Sequence, residues 1–316
     1  MQAVAAVVAH LREQMSKVIV GQADMVDQCV LALLCSGHAL VEGVPGIAKT
    51  LTVKALAGVL QLQFQRVQAT SDLMPADILG TNVLNLATST FGFHAGPVFT
   101  DLLLVDEVNR MPPRTQAALL ECMEERQVTI DGTRHPLSGF FTVFATQNPI
   151  EFEGTYPLPE AQLDRFLMKI NVDYPSMEEE TRLLGRFQQG FDSRDLAQAG
   201  LQALDPALLT SAREEVRTGV RVEEGLFKYI VRVARATRES PALSLGASPR
   251  AAVSLMQAAK ATAAMDQRDY VIPDDVKSAA LPILRHRVLL KPEAELEGLT
   301  PDQILRDLLR TIEVPQ

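Results

Sequence analysis

The stretch Leu40-Val41-Glu42-Gly43-Val44-Pro45-Gly46-Ile47-Ala48-Lys49-Thr50 decides the fold. A short apolar run enters a glycine-bearing turn, and Leu51 to Ala57 then carries a helical pattern. Strand, turn and helix N-terminus in that order make a phosphate-binding loop. Backbone N–H groups of the turn would face the phosphates. Lys49 would place a point charge on the β/γ oxygens, and Thr50 would offer its hydroxyl to Mg²⁺. Ala48 departs from the general G-x-x-x-x-G-K-[ST] pattern, standing where the last Gly is usual. With a methyl there, the backbone at Ala48 is expected to keep ordinary helical φ/ψ. An ordinary strand-to-helix turn that ends in Lys-Thr reads the same way, so the rest of the chain must decide.

The 316 residues suit two domains, and 47% hydrophobic with 22% charged residues is ordinary for a globular chain. No apolar run approaches the ~18–20 residues that cross a bilayer. Met1 to His10 is apolar without a basic leader and reads as an amphipathic helix, not a signal peptide. Cys29, Cys35 and Cys122 form no C-x-x-C pair and sit in apolar helical patterns, which points to buried free thiols and a cytoplasmic location. A net charge of −9 argues against broad nucleic-acid binding.

Apolar runs alternate with helical patterns up to Tyr174-Pro175. Strands are expected at 38–41, 62–69, 101–105, 140–146 and 167–172, giving a parallel α/β sheet. The Asp101–Glu107 run is apolar until two acids close it, as a strand buried on both faces reads. Two hairpins are expected, at about 81–94 and about 128–137, the second with Asp131-Gly132 at its turn. Phe91 and Phe93 in the first are expected to be packed. Beyond residue 175 helix follows helix: 177–188, 206–218, 223–239, 249–265, 273–290 and 301–309. The organisation is therefore an α/β unit over 1–175 and an all-α unit over 176–316.

Asp106-Glu107 ends its strand where open α/β sheets bind ligands. In phosphate-loop enzymes that Asp holds Mg²⁺ and a neighbouring Glu orients the attacking water. Two solvated acids capping a strand is the simpler account. Paired with Lys49-Thr50, the site reading is the stronger. Asn148 ends the next strand and could position water, or start an Asn-Pro turn. Arg165 follows a short helix and could reach a neighbouring subunit's phosphate, or pair with Asp164 or Glu160. Arg250 opens a helix, where a cation opposes the macrodipole and invites an anion.

The chain resembles the AAA+ ATPases and, within them, the MoxR family. The segments responsible are Gly43–Thr50, Ala95–Phe99, Asp106–Gln116, Ala145–Glu151, Glu153–Phe166 and Ser248–Ala251, in that order. Asp101, Val105 and Phe152 differ from the family pattern at places that carry no chemistry. The resemblance implies a P-loop AAA+ core with a parallel sheet flanked by helices, followed by an all-α lid. It implies ATP and Mg²⁺ as cofactors and the reaction ATP plus water to ADP plus phosphate. By position, Gly43, Val44, Pro45, Gly46, Ile47, Ala48, Lys49, Thr50 and Leu51 match Walker A, and Asp106 and Glu107 match Walker B. Asn148 matches sensor 1, Arg250 the sensor 2 arginine and Arg165 the trans-acting arginine finger. Val18 to Gln22, with Ile19, Val20 and Gly21 at its centre, matches the segment beside adenine. Ala48 is the family's own form of the loop. The resemblance also implies a ring, commonly a hexamer, that remodels or matures partner proteins with a von Willebrand A domain protein. A nucleic-acid remodeller and a non-catalytic nucleotide-gated scaffold are the rival readings.

Overall fold

The computed structural model describes residues 1–87, 89–148, 154–192 and 196–315. The Pro149–Glu153 part of the expected sensor segment and loop, and Thr88 in the first hairpin, lie outside the described residues.

Two amphipathic helices come first, α1 (Gln2–Ser16) and α2 (Ala23–Leu34). Strand β1 (Ala39–Gly43) then feeds helix α3 (Lys49–Val59). β2 (Phe64–Gln68), α4 (Pro75–Leu79), the hairpin β3 (Gly80–Asn85) and β4 (Thr90–Ala95), and β5 (Leu102–Asp106) follow. After β5 come α5 (Pro113–Glu125), the hairpin β6 (Gln127–Ile130) and β7 (Thr133–Pro136), β8 (Thr142–Gln147), α6 (Glu160–Leu163) and β9 (Met168–Val172). β1, β2, β5, β8 and β9 form one parallel sheet in the order β2-β5-β8-β1-β9. The register sets Gln68 beside Asp106 and Val41 beside Thr146, so the strand C-termini share one edge.

β5 is buried along its whole length. Its side chains alternate between faces. Leu102 and Leu104 join a core with α1, α2 and α3, while Leu103 and Val105 join a second core under α5. Two covered faces explain why the strand reads as a continuous apolar run and not as an alternating one.

The later helices are α7 (Met177–Gln188), α8 (Pro206–Glu214), α9 (Glu224–Glu239), α10 (Pro249–Met265), α11 (Pro273–Leu284), α12 (Pro292–Leu296) and α13 (Pro301–Thr311). The apolar faces of α8, α9, α10, α11 and α13 join the same core as α1 to α3, whereas α7 buries no residue. This unit is not purely helical: β10 (Leu243–Leu245) pairs antiparallel with β11 (Leu289–Leu290). The helix expected over 273–290 therefore ends at Leu284. Arg287 turns inward there and donates to the Asp164 carboxylate and to the carbonyls of Phe166 and Leu167. Those bonds replace continuation of the helix. Among the described residues no helix is long and apolar enough to cross a membrane.

Both hairpins form where expected, and Asp131 and Gly132 take positive φ (47° and 79°) at the tight turn. Phe93 stacks on His135 at 4.1 Å between ring centroids, joining the two hairpins. Phe91 is 72% exposed, against the packed position expected for it. Val83, Leu84 and Leu86 of the same hairpin are exposed as well, so Phe91 belongs to an open apolar face and not to the core. Cys29 and Cys122 are buried free thiols, whereas Cys35, just past the end of α2, is partly exposed.

Candidate active site

Phosphate-loop geometry begins at Gly43. A Cβ there would lie 2.5 Å from the Val172 carbonyl oxygen, so β9 leaves room only for glycine. Gly46 takes φ 86°. Ala48 takes φ 64° and ψ 19°, a left-handed conformation, and this overturns the expectation of ordinary helical backbone. Ala48 is the residue before the first turn of α3, not part of it. The chain must reverse there to aim its amides into the loop. The left-handed state costs an L-residue about 1–2 kcal/mol, which the surrounding packing offsets.

Lys49 opens α3 and donates Nζ to the Gly43 carbonyl, so its charge lies across the mouth of the loop. Burial lowers its pKa, opposed by Asp106, Glu42 and Glu107. The Thr50 hydroxyl reaches Asp106 Oδ2 at 3.5 Å. Asp106 is held from two sides: the Thr146 hydroxyl donates to Oδ1 at 3.1 Å, and Arg66 Nε donates to Oδ2 at 2.6 Å. Glu107 takes a left-handed conformation (φ 57°), gives its amide to Thr146 Oγ at 3.0 Å, and pairs its carboxylate with Arg110 at 2.8 Å. Asn148 is buried and faces the same cleft. A hydroxyl beside a carboxylate is the hard-oxygen donor set that Mg²⁺ takes with phosphate and water. Asp106 already draws a cation, Arg66, so the residues fit the metal.

These groups line a cleft of about 490 Å³ together with Pro45, Gly46, Ile47, Ala48 and Leu51. Gly43 and Val44 lie behind it, Gly43 as the acceptor for Lys49 and Val44 against the core. Part of the cleft lining is apolar: Val18, Val20, Leu183, Phe187 and Phe191. Phe187 is half exposed there and meets Phe191 edge to face. Of the expected adenine segment, Val18, Val20 and Gln22 line this cleft. Ile19 and Gly21 instead line an adjoining cleft with Arg182 and Arg186, because Ile19 turns into the core and Gly21 packs on Glu179. Sequence reasoning missed Thr146, Arg66 and the three α7-side residues. The four-residue spacing of Leu183, Phe187 and Phe191 is a usable signal, but the sequence places 177–188 only as the first helix after the α/β unit.

Arg165 and Arg250 are not in this cleft. Both line a separate one of about 310 Å³, with Glu124, Asp164 and Arg287. Glu124 accepts from Arg250 Nη2 at 2.8 Å and pairs with Arg165 Nε at 3.3 Å. Arg165 also donates to the Leu120 carbonyl at 2.7 Å. The Asp164 partner expected for Arg165 is engaged elsewhere, by Arg287 Nε at 2.6 Å and the Ser248 hydroxyl at 3.2 Å. Arg250 was expected to lie over the nucleotide of its own chain. α10 packs chiefly against α11 and α9, and Arg250 lines the cleft of Glu124 instead of that of the phosphate loop.

Fold and site together define a phosphate-loop α/β nucleotide-binding protein with a helical lid. Residues 38–168 match the family model described as ATPase family associated with various cellular activities, and residues 235–308 match the AAA lid domain. The chain is 42% identical to Chaperone MoxR1 of Mycobacterium tuberculosis over 312 residues, covering 96% of this chain and 81% of the relative. It is also 42% identical to the uncharacterized protein YeaC of Bacillus subtilis over 307 residues, 96% of this chain and 93% of that one. The crystal structure of a "putative ATPase" from Cytophaga hutchinsonii superposes with a TM-score of 0.89 at 41% identity, covering 99% of this chain and 96% of that chain. The chain belongs to the MoxR family of AAA+ ATPases.

Proposed function

We propose that this protein hydrolyses ATP to ADP and phosphate and uses the cycle to remodel or mature partner proteins. One observation carries the reading: Lys49, Thr50, Asp106, Glu107 and Asn148 line one cleft together with the apolar and aromatic side chains of Val20, Leu183, Phe187 and Phe191. The phosphates would lie under the loop amides and Lys49, and the base against Val20 and Phe187. Mg²⁺ held by Thr50 and Asp106 would screen the β/γ charge. Glu107 would leave Arg110 to take a proton from the attacking water, and Asn148 would orient that water. Arg165 and Arg250 lie outside the cleft, which favours their acting on the nucleotide of an adjacent copy in a ring, a hexamer by family resemblance.

The chaperone label of the mycobacterial relative supports a protein client. The family resemblance supports a von Willebrand A domain partner from another chain. Free thiols at Cys29 and Cys122 favour the cytoplasm. The test is steady-state turnover with nucleotide binding measured alongside. Glu107→Gln should keep ATP binding and lose turnover by orders of magnitude. Lys49→Ala should lose binding. Normal turnover in Glu107→Gln sinks the assignment, and ATPase stimulation by DNA that vanishes at high salt would favour a nucleic-acid substrate instead.

A further inference from the structure

Glu124 links the two parts of the fold. Its single carboxylate meets one arginine from the α/β unit and one from the lid: Arg165 Nε at 3.3 Å and Arg250 Nη2 at 2.8 Å. Each oxygen takes one partner, Oε2 for Arg165 and Oε1 for Arg250. The neighbouring carboxylate, Asp164, is engaged by Arg287 and Ser248. Arg126 and Arg287 line the same cleft, so its guanidinium groups outnumber its carboxylates. Two guanidinium groups repel each other and would drift apart without an anion between them. The hydrogen bond from Arg250 to Glu124 also fixes orientation, because guanidinium N–H groups are rigidly directed, while Arg165 is aimed by its bond to the Leu120 carbonyl and held to Glu124 as an ion pair. All three side chains keep partial exposure, at 30%, 36% and 50% for Arg165, Glu124 and Arg250, so an incoming phosphate can reach them.

We infer that Glu124 is a positioning residue that gathers Arg165 and Arg250 into one anion-accepting pair for the γ-phosphate bound by an adjacent copy of this chain. The inference rests on the trans reading of the two arginines. Glu124 touches no reacting atom. It sets the separation and aim of two cations that come from different parts of the fold, and its negative charge does this where a neutral amide cannot.

The experiment measures kcat and KM for ATP, then mixes variants. Glu124→Gln keeps shape and removes charge. It should lower kcat about tenfold or more while KM, set by the phosphate loop, changes less than about twofold. Glu124→Asp should recover part of kcat. Glu107→Gln subunits cannot hydrolyse but carry intact arginines. Mixed with Glu124→Gln subunits, they should therefore give turnover above the sum of the two alone. Unchanged or raised kcat in Glu124→Gln overturns the inference. So does a mixture that stays inactive while Arg165→Ala mixed with Glu107→Gln regains turnover, a result that leaves the trans reading standing. If neither mixture regains turnover, the trans reading itself falls and takes this inference with it.

Discussion

Thr146 donates its hydroxyl to Asp106 Oδ1 at 3.1 Å and, through the same oxygen, accepts the Glu107 amide at 3.0 Å. One side chain of β8 thus orients both acids that close β5. The strands are adjacent and parallel, so the contact is fixed by sheet register. Thr146→Val keeps the volume and removes both bonds, leaving a buried carboxylate oxygen and an amide without that partner. The expected result is a fall in kcat of about 10–100-fold, or about 1–3 kcal/mol, with ATP affinity little changed. Turnover together with equilibrium nucleotide binding checks it. Loss of binding in step with kcat would assign Thr146 to the fold and not to the acids.

Gly43 and Ala48 make opposite predictions within one loop. In Gly43→Ala the new methyl meets the Val172 carbonyl at 2.5 Å, and the loop has to move. ATP affinity should fall at least about tenfold. In Ala48→Gly the left-handed backbone loses its steric cost. Flexibility gained by the unfolded chain works the other way, so the net change should lie between zero and a gain of about 1 kcal/mol, with ATP binding kept. Denaturant melts and nucleotide titrations separate the two, and a strongly destabilised Ala48→Gly would contradict the strain account.

Phe187 is half exposed in the cleft lining, next to Phe191. An aromatic face left open beside a phosphate site is suited to a purine ring. Phe187→Ala should weaken ATP binding about 5–10-fold, or about 1 kcal/mol, with kcat at saturation nearly unchanged. The check is KM for ATP against that for inorganic triphosphate, whose binding should not change.

His38 governs the response to acid. It lies buried before β1, accepts the Val143 amide on Nδ1 at 2.9 Å and lies 3.1 Å from the Met123 carbonyl through Nε2. Burial pushes its pKa down to about 4, helped by the charge of Arg126. The folded state therefore binds this proton later than the unfolded state, whose pKa is near 6.5. Stability from neutral His38 is complete above about pH 6.5 and is lost as pH falls toward 4, a change on the order of 3 kcal/mol. His286, also buried with a depressed pKa, adds to the same trend. Urea melts from pH 7 to pH 4 should show a steeper fall for the native chain than for His38→Gln. Equal slopes would rule out His38 as a source.

The local pattern of the sequence already determined the nucleotide fold. Gly43–Thr50, the apolar run into Asp106-Glu107, and the Asp131-Gly132 turn each specify their structure within a few residues. Strand, loop and helix had to follow from that spacing, and a sheet buried on both faces from the uninterrupted apolar strands. Distance between remote segments is different, because it depends on how faces pack and not on any local periodicity. Only the tertiary structure decided that Thr146 reaches Asp106, that Phe187 lines the same cleft as the loop, and that Arg250 joins Arg165 at Glu124 instead of Lys49. It also decided the backbone at Ala48. That residue lies just outside the helix its side chain would favour, held left-handed by the reversal the loop must make.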